Sequence, residues 1–563
     1  MATPGKAPIL AGFFLVLCLF GGKLAIETQA HPAHAKPVNY PYVVGFERFH
    51  SSLDDDEYLS IGGMILLNEL NCVACHEPPR HLDAQFPGLQ ATRLDGVASR
   101  LDSVNLEIMI RNPRFVKRDT IMPSLFAGPD RDLEEVEALK HYLSTLTYEV
   151  PEYPRGEIEA GRRLYHRIGC AACHAPEVGY RPDGIPDNAE IELAGLPSVP
   201  MNLADLYQLD TLTHFLLSPN QHRPSGRMPD FRLTTREAAD LAAYLKAGPD
   251  LVLPENLTRA LGESGEFVVD PDLARRGRAL FAAKNCVACH EIPGESEAVS
   301  GHEARPLADL PSDSTGGCLS ERPPGGRIPF YGLDVVQKRA IRAALERLDL
   351  QERLDLAGQI DWRMKRLNCY ACHERDGIGG PETAREVYFG WGEEKAVELG
   401  RPGHLPPALD QVGAKLKPAW MKKVLLDQSG DGSVRPYMPA RMPLFLSSEV
   451  EPLVRQFDRA DQVEAPAGGG FLTRKAEGEV LFAAEGKNCV RCHSAGEIPS
   501  SEFPGIDLAT SKKRLDTGFF RFFLLEPYSL HPPRISSDPP NSRPPLNEDE
   551  VEALSDWIFS LGE

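Results

Sequence analysis

The segment "CVACH", Cys72 to His76, occurs in nearly the same form five times along the chain. Each copy places two residues between two cysteines and a histidine directly after the second cysteine. The other copies are "CAACH" (Cys170–His174), "CVACH" (Cys286–His290), "CYACH" (Cys369–His373) and "CVRCH" (Cys489–His493). A disulfide framework would not repeat one pentapeptide, so a repeated chemical unit organises this sequence. Of the twelve cysteines, only Cys18 and Cys318 lie outside these five frames.

The C-x-x-C-H pattern is the attachment signature of c-type haem. Two thiols add to the two vinyl groups of the porphyrin, and the adjacent histidine gives the iron its proximal nitrogen. Zinc sites also use C-x-x-C pairs, but they do not require a following histidine. The sequence therefore predicts five covalently bound haem c groups. The predicted attachment residues are Cys72, Cys75, Cys170, Cys173, Cys286, Cys289, Cys369, Cys372, Cys489 and Cys492, and the predicted proximal ligands are His76, His174, His290, His373 and His493.

The sequence around each frame repeats as well. A segment with a glycine and bulky apolar residues leads into the first cysteine, and an amphipathic helix follows later. The leading segments are Gly62–Cys72, Gly161–Cys170, Gly277–Cys286, Gly478–Cys489 and the most divergent one, Gly358–Cys369. The closing helices are predicted at Asp132–Leu146, Thr234–Ala247, Asp334–Leu348, Ser448–Phe457 and Asn547–Leu561. An acidic or hydroxyl cluster opens most of them, as is typical of a helix start.

A haem frame flanked by two such helices resembles a class I cytochrome c. The resemblance covers nearly the whole chain after residue 45 and implies a mostly α fold. We expect a tandem array of five helical haem domains with long Pro/Gly-rich loops. The predicted units are 46–148, 155–248, 270–350, 351–460 and 470–563. The junction between the third and fourth units is tight, so those two are expected to pack together.

In class I cytochromes c, a methionine before the last helix binds the iron from the second face. The resemblance therefore implies Met122 as the ligand opposite His76 and Met228 as the ligand opposite His174. Opposite His373 it implies Met442, with Met438 as a competitor. Each of these methionines precedes a proline, which favours an extended backbone there.

Units three and five lack this methionine. In "GRIPFYGL" (Gly326–Leu333) Ile328 takes the place of Met228 in "GRMPDFRL", and in unit five Pro544 takes it. His531 is a candidate ligand in unit five. In unit three the candidates are His302 and Cys318, since a soft thiolate can bind iron. A buried thiol without a ligand role and an open iron that accepts small molecules remain alternatives.

The net charge is −20, from 61 basic and 81 acidic residues. This balance argues against nucleic acid as a partner and suits redox partner proteins that are basic or membrane-associated. Residues 1–30 have the pattern of a signal peptide: Lys6 precedes a short apolar run, Ile9–Gly22. We therefore expect a periplasmic or otherwise exported protein, with retention of this segment as a membrane anchor as the alternative. No later run is apolar enough to span a membrane.

The predicted function is one-electron transfer along the haems rather than catalysis. An iron with two protein ligands has no position left for a substrate, and no nucleophile–base constellation or dinucleotide loop competes. The alternative functions depend on an open iron in unit three. One is a peroxidase-like enzyme with His302 or Glu303 as acid–base residue, and the other is a gas or redox sensor.

Overall fold

The structure is a computed structural model. It describes residues 38–51, 56–83, 85–126, 132–182, 198–201, 207–225, 228–247, 267–293, 304–324, 328–348, 354–390, 404–427, 435, 437–462, 474–526 and 546–561. The signal segment predicted at 1–30 lies outside these residues. Within them, no helix is both long enough and apolar enough to cross a bilayer.

The described ranges are mostly helical, as the sequence predicts. The helices of eight or more residues are α1 (Asp56–Glu69), α2 (Ser103–Arg111), α3 (Leu133–Leu143), α4 (Ile158–Arg167), α5 (Leu209–Leu217), α6 (Thr235–Leu245), α7 (Pro271–Ala283), α8 (Val335–Glu346), α9 (Leu356–Arg366), α10 (Pro418–Leu426), α11 (Ser447–Ala460), α12 (Lys475–Phe482), α13 (Thr517–Leu525) and α14 (Glu548–Ser560). Shorter α-helices are Val44–Phe49, Val97–Arg100, Pro113–Val116, Cys170–Cys173, Pro219–His222, Val387–Gly390, Val412–Lys415 and Ser511–Arg514. Two strands, β1 (Glu374–Arg375) and β2 (Ile378–Gly379), pair antiparallel.

The closing helices α3, α6, α8 and α14 begin at side-chain caps. Asp132 accepts hydrogen bonds from the first-turn amides of α3. Thr234, Asp334 and Asn547 each form a capping box with a Glu or Gln three residues later. Such caps satisfy amides that the helix leaves unpaired, and each contributes about 0.5–2 kcal/mol. The polar clusters seen in the sequence therefore set where these helices start.

A glycine lets each of two leading helices cross its closing helix at backbone contact. A Cβ atom added at Gly161 of α4 would lie 2.0 Å from the carbonyl oxygen of Asp240 in α6. A Cβ added at Gly478 of α12 would lie 2.1 Å from the carbonyl oxygen of Ala553 in α14. Only glycine fits at such a distance. The repeated glycine is therefore a helix-crossing residue.

The fourth unit packs against its closing helix through different residues, which explains its divergent leading segment. Ile360 lies nine residues before Cys369, where other units have glycine, and its side chain is buried against α11. The atoms nearest to a Cβ added at Gly358 are side-chain atoms of Leu354 and Asp355, which directly precede α9. The close backbone contact to α11 is instead made by Gly413 of Val412–Lys415, where a Cβ would lie 1.9 Å from the carbonyl oxygen of Phe457.

The first and third units exchange their closing helices. Leading helix α1 packs on α8, where a Cβ at Gly63 would lie 2.0 Å from the carbonyl oxygen of Ala340. Leading helix α7 packs on α3, where a Cβ at Gly277 would lie 2.0 Å from the carbonyl oxygen of Ala138. The predicted units 46–148 and 270–350 are therefore wrong as independent units. We call the actual units A (frame Cys72–His76 with α1 and α8) and B (frame Cys286–His290 with α7 and α3).

The chain crosses between units A and B directly after each haem frame. The amide of Leu307 donates to the carbonyl of Glu77 at 2.9 Å, and the amide of Ala91 donates to the carbonyl of Cys289 at 2.8 Å. The sequence cannot reveal this exchange, because α3 and α8 carry the same apolar spacing and the same kind of cap. The entropy of loop closure also rises only slowly with loop length, by about 0.6 kcal/mol per doubling.

Neighbouring units join through their loops. Ser124 and Phe330, each located before a closing helix, exchange two backbone hydrogen bonds of 3.0 Å between units B and A. Asp230 and Leu444 make the corresponding bridge between units two and four. Units four and five meet where Leu416 bridges to Leu515. The bridges therefore join units that are distant in the sequence as well as units that are consecutive.

We expect a zero-length carbodiimide cross-link between Lys284 and Glu135. Lys284 ends α7 and forms an ion pair with Glu135 of α3, which belongs to a different unit if helices pair in sequence order. Peptide mass spectrometry would detect the link. Lys487 and Glu550 within unit five form an ion pair of 2.9 Å at similar exposure and serve as the control. A control link without the Lys284–Glu135 link would contradict the exchange.

The variant Gly161→Ala is expected to destabilise unit two by about 1–3 kcal/mol, because the new methyl group overlaps the α6 backbone. Hydrogen exchange of the α4 and α6 amides, followed by mass spectrometry, should accelerate roughly 5- to 100-fold. Gly358→Ala is the matched control: the methyl group meets only side-chain atoms of Asp355 and Leu354 at 3.1–3.4 Å. The helix propensity of alanine should leave the α9 amides as protected as before or better. Equal effects of the two variants would refute the crossing role.

Candidate haem-binding sites

Each frame follows a residue with left-handed backbone. Asn71, Asn285, Asn368 and Asn488 have φ between 56° and 59°, and Gly169 has φ of 121°. Asparagine and glycine tolerate this conformation best. The residue ends the leading helix and turns the chain into the frame. This residue is not among the sequence predictions, although every first cysteine is preceded by Asn or Gly, which is a signal for left-handed backbone.

Each frame itself is one short turn. In the first copy Cys72–Ala74 forms a 3-10 turn, and the amide of His76 donates to the carbonyl of Cys72 at 3.0 Å. No described cysteine forms a disulfide. In the described ranges no group of three or more His, Cys, Asp or Glu side chains is arranged as a metal site. The paired thiols fit two thioether bonds to one porphyrin.

A backbone carbonyl orients every frame histidine. The Nδ1 atoms pair with carbonyl oxygens as follows: His76 with Arg305 at 2.7 Å, His174 with Val199 at 2.8 Å, His290 with Thr92 at 2.7 Å, His373 with Pro407 at 2.7 Å and His493 with Ile506 at 2.9 Å. A carbonyl can only accept, so Nδ1 carries the proton in each ring. Nε2 keeps its lone pair and is available to iron.

Burial keeps three of these rings, those of His174, His290 and His373, in the form that binds metal. It lowers the pKa of His174 to about 4, against a weaker opposite effect of the Val199 carbonyl. Burial also lowers the pKa of His290 and His373. Only the neutral imidazole offers a nitrogen lone pair, so the environment favours the metal-binding state at neutral pH.

Apolar side chains surround the frames. Cys170 packs against the cluster that contains Tyr165 and Phe215, and Cys489 packs against the cluster of Phe482 and Trp557. A porphyrin is a large apolar ring, and it needs such a water-poor cradle. The frames, the oriented histidines and the apolar surroundings together fit haem c.

Two of the predicted methionine ligands lie with their own frames. Met228 packs against the same core cluster as Cys170, and Met442 packs against the same cluster as Cys369. The competitor Met438 is also buried, and its sulfur accepts a hydrogen bond from Arg435 at 3.7 Å. Met442 and Met438 both stay candidates for the ligand opposite His373.

Cys318 lies at a different frame from the one predicted. It packs against the cluster that contains Cys72 and Val73 of unit A, not against the cluster around Cys286. The assignment of Cys318 to the haem of His290 is therefore wrong. Burial raises the pKa of this thiol to about 11, so it stays protonated unless a cation stabilises the thiolate.

Several other candidate residues lie outside the described part of the chain. His302, Glu303, His531 and Pro544 lie outside the described residues. Ile328 is described, and its side chain is 44% exposed.

The two-helix crossing, the C-x-x-C-H turn and the carbonyl-bound histidine define a protein that attaches haem c. Residues 158–248 match the model of the Cytochrome c family, a range that includes α4, the second frame, Met228 and α6. This match supports a c-type cytochrome, with covalently bound haem and electron transfer as its general function. No curated protein and no solved structure matches the chain significantly.

We expect the variant Met228→Ala to leave one haem iron without its sixth ligand. The reduced protein should bind about one more equivalent of carbon monoxide than the wild type, because the thioether would no longer occupy the sixth position. Met201→Ala is the matched control, since Met201 is a half-buried methionine that packs against the same cluster. Optical titration of the reduced proteins measures both. Carbon monoxide binding that rises equally in both variants would indicate loosened packing rather than ligand loss.

Proposed function

We propose that this protein is an exported pentahaem c-type cytochrome that passes electrons one at a time along five haem c groups. The observation that carries the proposal is the local geometry shared by the five frames: a left-handed residue, a single turn and a histidine whose Nδ1 is held by a carbonyl. The haem supplies the one-electron redox change. The chain attaches the haems, orients the ligands and excludes water.

Contacts between frames support a relay. The Nδ2 atom of Asn71 lies 3.3 Å from Sγ of Cys289, and Nδ2 of Asn285 lies 3.7 Å from Sγ of Cys75. The residue that turns the chain into one frame thus touches an attachment thiol of the other frame. The porphyrin edges of units A and B would therefore adjoin.

Units two and four form a second such pair. The Nδ2 atom of Asn368 lies 3.2 Å from Sγ of Cys173. The reciprocal contact is missing because Gly169 stands where the other frames have asparagine. Cys173 and Cys372 also pack against one shared apolar cluster. The attachment cysteines of these two frames therefore lie close together, and the edges of two haems bound there would adjoin.

An ion pair and a hydrogen bond connect units A and B to units two and four. Arg48 of unit A bonds to Glu382 of unit four at 2.5 Å. The amide of Arg93 in unit B donates to the carbonyl of His222 in unit two at 3.0 Å. The two pairs are therefore adjacent, and electrons need not cross a linker between them.

The fifth unit adjoins the fourth at a cationic junction. The amide of Lys417 donates to the carbonyl of Arg514 at 2.9 Å. Burial, and then the nearby charge of Arg435, lower the pKa of Arg514 to about 10. The charge of Arg435 also lowers the pKa of His373. The buried Nε atom of Arg514 has no hydrogen-bond partner within the described part of the chain. Two guanidinium groups beside the His373 frame suit the propionates of a haem.

Charge and the N-terminal segment support the cellular part of the proposal. The net charge of −20 favours encounter with basic redox partners. Residues 1–30 would direct the chain out of the cytoplasm, where haem c is attached, and would either be cleaved or anchor it. An enzymatic or sensing role would require an iron that is open to small molecules.

The secreted protein is expected to carry five haem groups. Intact mass spectrometry and the absorbance of the reduced pyridine complex should agree on this number. Replacing both cysteines of one frame, as in Cys489→Ala/Cys492→Ala, should remove one haem and leave the others. Cys318→Ala is the matched control and should leave the haem number unchanged. Four or fewer haems on the wild-type chain would contradict the proposal.

A further inference from the structure

The exchange between units A and B changes which residues close over which haem. In the units that keep their own closing helix, the methionine loop follows a common register. Met228 and Phe231 pack in the same cluster as Cys170, and Met442 and Phe445 pack with Cys369. In both cases the ligand position and the aromatic residue three positions later lie with the frame that the loop covers.

The same register can be followed in the exchanged units. Leu125, three residues after Met122, packs with Phe126 in the cluster of Cys286. Tyr331, three residues after Ile328, packs in the cluster of Cys72. Each loop therefore closes over the frame of the other sequence repeat.

A further contact of Tyr331 agrees with this arrangement. Tyr331 donates its hydroxyl to the carbonyl of Leu70, just before the first frame, at 3.0 Å. Ile121, directly before Met122, contacts the Cys72 cluster, so the Met122 loop touches both clusters near the bridge between Ser124 and Phe330.

The histidine side of each site is exchanged in the same way. His290 is held by the carbonyl of Thr92, which precedes Met122 in the chain, at 2.7 Å. His76 is held by the carbonyl of Arg305, which precedes Ile328, at 2.7 Å. The segment that orients the histidine and the segment that covers the opposite face thus come from the same half of the chain.

Resting on the proposed function, we propose that Met122 ligates the haem bound at Cys286, Cys289 and His290. The haem bound at Cys72, Cys75 and His76 is then the one covered by Ile328, without a methionine. The sequence contains no methionine between His290 and Met364, so this loop offers none. Of the two exchanged sites, the one without a methionine would then be the first along the chain, not the third. Its reduced iron would be open to small neutral diatomic ligands such as carbon monoxide.

Single-cysteine variants identify each haem optically. Cys75→Ala and Cys289→Ala each leave one thioether bond and one free vinyl group, which stays conjugated with the ring and moves the absorption of that haem alone to longer wavelength. Carbon monoxide should shift the marked band of reduced Cys75→Ala. It should leave the marked band of Cys289→Ala in place until Met122→Ala is added. A carbon monoxide shift of the marked band in Cys289→Ala, with no shift of the marked band in Cys75→Ala, would overturn the assignment.

A second experiment uses chains with both cysteines of every frame intact. Ile328→Met should lower the carbon monoxide bound per chain by about one equivalent, because the new thioether occupies the sixth position. Ile328→Leu is the matched control and should leave binding unchanged. Unchanged binding in Ile328→Met would overturn the inference. Intact mass gives the haem number of every variant first, so a missing haem, which would count against five haems, is distinguished from a wrong ligand assignment.

Discussion

The contact between a leading-helix glycine and a closing-helix carbonyl is the constraint on which the haem sites depend. In units A, B, two and five this contact brings two helix backbones together with no side chain between them. The leading helix then ends at a left-handed Asn or Gly, which turns the cysteines and the histidine toward the loop that covers them. A side chain larger than hydrogen at the crossing would separate the helices and shift the frame. In the fourth unit different residues make the contact with the closing helix. Ile360 packs its side chain against α11, and Gly413 makes the close contact to the α11 backbone.

Exchange of closing helices gives units A and B a property that separate domains would lack. Each half of the chain contributes a frame to one site and the covering loops to the other. The two halves of the chain therefore cannot separate without breaking both helix crossings. The asparagine that starts each frame reaches the thiol of the other frame at 3.3–3.7 Å. Two haems held in this way would stay at fixed distance, as fast electron exchange requires.

Because of this exchange, the order of the haem frames along the chain would not match the order of the loops that carry their distal ligands. Leu125 of the loop that carries Met122 lies with Cys286, and Tyr331 of the loop that carries Ile328 lies with Cys72. Under the proposed assignment, a distal ligand assigned by position in the sequence would be misassigned at both sites, even if each ligand type is recognised correctly. Cys318 follows the same rule, since it lies with Cys72 and not with Cys286.

Local patterns in the sequence determined the frames, the helices and the residue types of the sites. The C-x-x-C-H spacing, the apolar periodicity of α6 or α14 and the caps at Thr234 and Asn547 are local signals, and the structure shows a short turn or a capped helix at each. The Asn or Gly before each first cysteine was a further local signal for left-handed backbone. Only the tertiary structure decided which closing helix meets which leading helix, and hence which loop covers which frame. The physical reason is that α3 and α8 are both amphipathic helices that begin at an aspartate cap, and the choice between them depends on packing across hundreds of residues, which no local pattern records.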